Sequence, residues 1–331
     1  MSSREPSAGP VAGPSAEVVA EVVRSGFVEG RHHGSVVALA ADGQVDWARG
    51  DAVGPVLPRS CNKPLQALAM VRAGLDLPSE LLALACASHS GEEFHVDGVR
   101  RILAGAGLDE EALQTPADLP LDPVEKEARL RAGGAPTRVH MNCSGKHAAM
   151  LATCVVNGWD TDSYLDPAHP LQRAIRETFA EVTGEPVAVD AVDGCGAPLL
   201  STSLTGLARA FRALAVATDG PERRIADAIR RHPAYVSGTR RDERVLIGAI
   251  PGAITKFGAE ACQVLALPDG RAFALKIEDG GDRARPVVLA AALARAGIDR
   301  EPGVDGAAVR ATGESVLLGG PRPVGEIRAV L

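Results

Sequence analysis

The sequence predicts an α/β fold in which one antiparallel sheet is assembled from the two ends of the chain, with helices packed on it and a helical subdomain between. Two hairpin patterns and the run between them point to it. SVVALAADGQVDWARG, at 35–50, alternates as two strands around Ala41-Asp42-Gly43, and CQVLALPDGRAFALKIEDG, at 262–280, repeats the pattern around Pro268-Asp269-Gly270. Between them the apolar spacing is helical over 61–73, 92–105, 146–157, 168–182, 204–216 and 222–231, and a last helix is expected over 286–297. GAPLLSTSLTG, at 196–206, reads as a loop entering a helix rather than a linker between domains. Residues 1–16, rich in Pro, Ser, Gly and Ala, read as a flexible tail, and 17–331 as a single domain whose helical subdomain lies within about 61–235.

A chain of 331 residues can bury a sizeable core. Aromatic residues make up only 3%, which leaves no stacking platform for single-stranded nucleic acid, and a net charge of −7 without a basic stripe argues against a phosphate-backbone partner. No apolar run approaches the ~18 residues of a membrane span, and the opening MSSREPSAGPVAGPSAE has no apolar secretory core, so a cytoplasmic protein is expected. Cysteines at 61, 86, 143, 154, 195 and 262 form no C-x-x-C pair, which fits free thiols in a reducing compartment.

RSCNKPLQAL, at 59–68, sets Ser60 and Lys63 three positions apart at a helix start, where i and i+3 share a face. Pro64 keeps that helix from beginning before about Cys61, so Ser60 is either a nucleophile at the positive end of the helix dipole or an ordinary N-cap. In ACASHSGEEFH, at 85–95, Ser90 and Glu93 form a capping-box pattern ahead of the next helix, whereas Ser88 has no structural duty. His89 beside it is either a base or a loop histidine with one hydrogen bond. HMNCSGKHAAML, at 140–151, contains Gly145-Lys146 but has histidine at both 140 and 147, so a phosphate-loop reading fails. What remains is Cys143 and Lys146 at a helix entrance, in a polar turn unsuited to a core thiol. In VDAVDGCGAP, at 189–198, Gly194 and Gly196 flank Cys195 and permit close backbone approach, although a simple turn would satisfy the same pattern.

ITKFGAEA, at 254–261, places Lys256 and Gly258 at the start of a strand. The order Ser60/Lys63, Ser88, Lys256 resembles the S-x-x-K, second serine and K-T-G elements of serine β-lactamases and penicillin-binding proteins. Taken together, RSCNKPLQAL, CASHSGE, NCSGKHAAML, DGCGAP and KFGAE resemble the rhizobial-type, or class 3, L-asparaginases of the L-asparaginase II family, from about Val18 to the C-terminus. That resemblance implies a serine β-lactamase/glutaminase-like catalytic domain, a homodimer, and hydrolysis of L-asparagine to L-aspartate and ammonia. It implies two Ser–Lys pairs, Ser60 with Lys63 and Ser88 with Lys256. It also implies a Zn²⁺ held by Cys143, Lys146 and Cys195, with Asp193 and His147 beside it. Arg59, His89 and Asn142, which flank these groups, are assigned to substrate binding. Phe257 and Ala261 stand where smaller residues are expected.

Two lysines close together in a desolvated pocket disfavour each other's protonation and free one as a base for serine. Ser60 is then the nucleophile and Ser88 a proton relay. Glutaminase or β-lactamase-like acyl transfer on the same fold is the neighbouring alternative. A non-catalytic metal-binding or sensor protein is the alternative of a different class.

Overall fold

The computed structural model describes Gly13 and residues 15–331; most of the expected 1–16 tail lies outside the described residues. Ten strands run as β1 (Glu17–Arg24), β2 (Phe27–Leu39), β3 (Val45–Arg49), β4 (Asp190–Val192), β5 (Pro198–Leu200), β6 (Ile254–Gly258), β7 (Cys262–Ala266), β8 (Ala272–Ile277), β9 (Val316–Gly319) and β10 (Arg322–Ala329). The main sheet has the order β6-β7-β8-β2-β1-β10-β9, with β3 paired to β2, and every pairing is antiparallel. Strands β1 and β10, from opposite ends of the chain, therefore pair with each other within it. Ser25 and Gly26, both at positive φ, make the tight β1–β2 turn.

The helices are α1 (Lys63–Arg72), α2 (Ser79–Ala85), α3 (Glu93–Gly105), α4 (Pro123–Arg131), α5 (Ser144–Asn157), α6 (Pro170–Thr183), α7 (Leu204–Val216), α8 (Gly220–Arg231), α9 (Pro233–Val236), α10 (Asp242–Ala249), α11 (Arg285–Arg295) and α12 (Gly306–Thr312). They cover both faces of the sheet, and this explains why its central strands read as continuous apolar runs. Along β2, Val37 and Leu39 enter one core with Leu65, Leu68, Met150, Phe179 and Phe211. Val36 and Ala38 enter a second core with Leu246, Val288 and Leu293. The seven expected helices are all present. The stretch 196–206 is more ordered than a loop, because Pro198–Leu200 pairs with Asp190–Val192 before Ser203 caps α7 through the Gly206 N–H.

Candidate active site

Ser60 lies in a short 3₁₀ turn, Arg59–Asn62, that runs straight into α1, so the break at Pro64 falls where the sequence requires it. Ser60 caps nothing: the residue before α1 is Asn62, and no side-chain cap bond is made. The N-cap alternative is thereby removed. Arg59 sits at φ 52°, a left-handed conformation that a long side chain adopts only when its surroundings enforce it. Its Nε donates to Asp193 Oδ1 at 2.8 Å, and Nη1 lies 3.7 Å from Glu260 Oε1. Strand β6 presses on the turn from below. The Cys61 thiol donates to Lys256 O at 3.2 Å, and a Cβ on Gly258 would lie 2.3 Å from Pro58 O. The glycine of Lys256-x-Gly258 is a packing requirement here.

The two lysines take unequal partners. Lys63 Nζ donates to Ser88 Oγ at 2.9 Å and to Ala87 O at 2.6 Å, at 1% exposure. Burial pushes its pKa below the ordinary lysine range. Lys146 and Lys256 push the same way, against the opposing pull of Cys143 and Cys195. Lys256 is not bonded to Ser88, contrary to the expected second pair. Its Nζ lies 2.5 Å from Glu243 Oε1, at the start of α10, and donates to Phe257 O at 3.0 Å. Nothing in RRDER, at 240–244, distinguishes Glu243 from an acid at a solvated helix start. Phe257 stacks under Arg241 and Arg285, 4.4 and 4.9 Å from its ring centre, which accounts for its size.

The loop after α2 joins the loop before α5. The His89 N–H donates to Asn142 O at 3.1 Å, and His89 Nε2 meets Ser144 Oγ at 2.8 Å. Because that hydroxyl donates to Val139 O, His89 carries its proton on Nε2, leaving Nδ1 buried without a partner. Burial, reinforced by His95 and Lys63, holds His89 well below the usual histidine range, so it is neutral. Ser90 does not form the capping box: α3 begins at Glu93 behind Glu92, and Ser90 Oγ instead donates to Ser237 O at 2.9 Å. Gly91, at positive φ, and the extended Glu92 separate Ser90 from the start of the helix.

Cys143, Lys146 and Cys195 converge beside this pair of loops. Lys146 Nζ lies 3.1 Å from Cys195 Sγ, and all three side chains are buried. A hydrogen bond from Cys143, followed by the Lys146 ammonium, drives Cys195 far below the ordinary thiol range, while Cys143 is raised. Burial opposes the Lys146 ammonium, but the two sulfurs outweigh it and its pKa rises. Asp193 Oδ2 stands 3.9 Å from Cys195 Sγ. His147 Nδ1 lies 2.7 Å from the Tyr164 hydroxyl, which also takes the Gln114 N–H, and its buried Nε2 is unpartnered. Among the described residues no group of three or more His, Cys, Asp or Glu is placed to hold a metal ion. Two sulfurs and an amine do converge, however, and that donor set suits a zinc ion with one position open.

The family profile described as L-asparaginase II matches residues 20–329. The chain belongs to this family. Its members are amidohydrolases acting on a small-molecule substrate. A comparison with curated proteins finds no match. Among solved structures, a β-lactamase from Mycobacterium bovis is 17% identical with a TM-score of 0.46, over 79% of this chain and 94% of that one. EstCE1, a hydrolase with promiscuous acyltransferase activity, is 14% identical with a TM-score of 0.40, over 76% and 91%. Mglu in its native form is 14% identical with a TM-score of 0.42, over 79% and 63%. At such scores these likenesses add nothing to a fold that rests on its own sheet order.

In this member of the family the candidate catalytic groups are nearly closed to solvent. Ser60 is 9% exposed, while Ser88 and Lys256 are 3% and 0%. A cleft of about 490 Å³ is lined by Val56, Leu57, Arg59, Glu260, Lys276 and Glu278; Arg59 links it to the nucleophile turn, while Ser60, Lys63, Ser88 and Lys256 do not line it. Among the described residues no helix is long and apolar enough to cross a membrane.

Proposed function

We propose that the chain hydrolyses L-asparagine to L-aspartate and ammonia, with Ser60 as nucleophile and Lys63 as its base. The observation that carries this is the Lys63–Ser88 hydrogen bond within a site where burial disfavours the ammonium form. A neutral Lys63 amine accepts the Ser60 proton by way of the Ser88 hydroxyl as the serine oxygen attacks the side-chain amide carbon. The Ser60 N–H lies at the start of the turn, where it can meet the developing oxyanion. Lys63 then returns its proton to the departing nitrogen, and ammonia leaves. Water, deprotonated by the same amine, opens the resulting ester and restores Ser60. Arg59, His89 and Asn142 border the reacting groups and are assigned to hold the amino-acid part of the substrate. Cys143, Lys146 and Cys195 would hold a Zn²⁺ ion, which supplies a fixed positive charge for orienting an anionic group. To bind it, Cys143 and Lys146 must both give up protons, so affinity falls on acidification.

Ammonia release from L-asparagine and L-glutamine, and D-alanine release from a D-Ala-D-Ala peptide, measured in parallel, tests the reading. Turnover of asparagine well above the other two is expected. Preference for glutamine or the peptide would replace it, and no release from any of the three would end it.

A further inference from the structure

Glu243 is the only acidic side chain among the described residues with no exposure at all. Its Oε1 takes both the Lys256 ammonium, at 2.5 Å, and the Phe257 N–H, at 3.0 Å. Its Oε2 has no hydrogen-bond partner; Arg241 Nε is 4.0 Å away. Buried ion pairs of this kind contribute little to stability, and apolar replacements are often as stable. A pair placed directly beneath the nucleophile turn therefore points to a role in the site. Lys256 uses one N–H on Glu243 and one on Phe257 O, and a third remains. Its backbone carbonyl receives the Cys61 thiol, one residue from Ser60. Around the pair stand Cys61 on the 3₁₀ turn, Lys63 on α1, Cys86 after α2, Cys262 on β7, Arg241 beside α10, and Arg285 on α11 behind Phe257. The other carboxylates nearby, Asp242 and Asp282, are both paired with Arg285.

We propose that Glu243 is a positioning residue for the amide hydrolysis: its carboxylate holds Lys256 as a fixed ammonium ion, so that Lys256 stabilises developing negative charge and leaves proton abstraction to Lys63. This rests on the hydrolytic reading above and divides the labour that two equivalent Ser–Lys pairs would share. A preorganised charge in a dry site acts on the transition state without reorganising. Truncating its holder should therefore lower kcat more than it raises KM.

The chain has only five lysines, at 63, 126, 146, 256 and 276, so ¹⁵N-lysine labelling resolves each side-chain nitrogen, with Lys256→Arg assigning the signal. In the unmodified protein at pH 7 the Lys256 Nζ signal should be that of an ammonium ion. In Glu243→Gln that signal should move as the charge partner is lost, kcat should fall at least ~10-fold with KM within ~3-fold, and Glu243→Asp should recover part of both. An amine signal for Lys256 in the unmodified protein, assigned with Lys256→Arg, overturns the proposal even if no Glu243 variant folds. So does an unchanged ammonium signal, or unchanged kcat, in folded Glu243→Gln. If the unmodified protein hydrolyses none of the three test amides, the hydrolytic reading fails instead, and the nitrogen signals still report whether Glu243 sets the charge of Lys256.

Discussion

Replacing Gly258 with alanine tests whether the sheet itself places the nucleophile. The new Cβ would stand 2.3 Å from Pro58 O, 3.1 Å from Ser60 N and 3.2 Å from Cys61 N. All three neighbours are backbone atoms, so no side chain can rotate out of the way. Restoring ordinary contact requires β6 and the 3₁₀ turn to part by about 1 Å. Neither has slack, because Cys61 is bonded to Lys256 O and Arg59 is held by Asp193. Overpacking of this order costs about 1–3 kcal/mol, and a displacement of ~1 Å in a reacting group costs ~10²-fold in rate. Urea unfolding should show the first loss. Steady-state ammonia release should show the second in kcat, with KM little changed. Gly258 has no left-handed φ, so backbone strain does not enter. Wild-type urea midpoint and wild-type kcat in Gly258→Ala would show that β6 does not position Ser60.

Alanine at Ser60, Lys63, Ser88 or Lys256 should each lower kcat at least ~10²-fold in the same assay, and a near-normal rate in any one removes that residue from the mechanism. Ser90→Ala should cost about 1 kcal/mol through the lost bond to Ser237 O while leaving kcat near normal. A dead Ser90→Ala beside an active Ser88→Ala would exchange their roles. Stability should fall as pH drops from about 6.5 toward 4. His95, held near 4 by burial, stays neutral in the native chain while the unfolded chain takes up a proton, a loss of about 2 kcal/mol at pH 5. His95→Asn should flatten the urea stability profile over that window, and an unchanged slope would assign it to other groups. Elemental analysis of protein purified without chelator should find one zinc per chain, lost in Cys143→Ser and in Cys195→Ser; equal retention by both variants refutes the site.

Periodicity and short motifs by themselves determined much of this molecule. The helices from α5 to α8 follow local apolar spacing and cap residues, and local signals survive folding because they bury a face whatever lies opposite. The same holds for the break at Pro64 and for the two hairpins at 35–50 and 262–280. The motif order also brought Ser60, Lys63, Ser88, Cys143, Lys146 and Cys195 into view. Only the tertiary structure decided how they pair. Lys63 reaches Ser88 rather than Ser60, and Lys256 turns to Glu243, because partner choice depends on which loop packs over which strand. Residue spacing along a helix does not contain that. The tertiary structure likewise joined β1 to β10, bringing Glu21 beside Arg328 from opposite ends of the chain, and gave Ser90 a carbonyl on another loop in place of a helix to cap. Glu243 is the sharpest case. Its local sequence is that of an exposed helix start, and only the covering of both sheet faces buries it against Lys256.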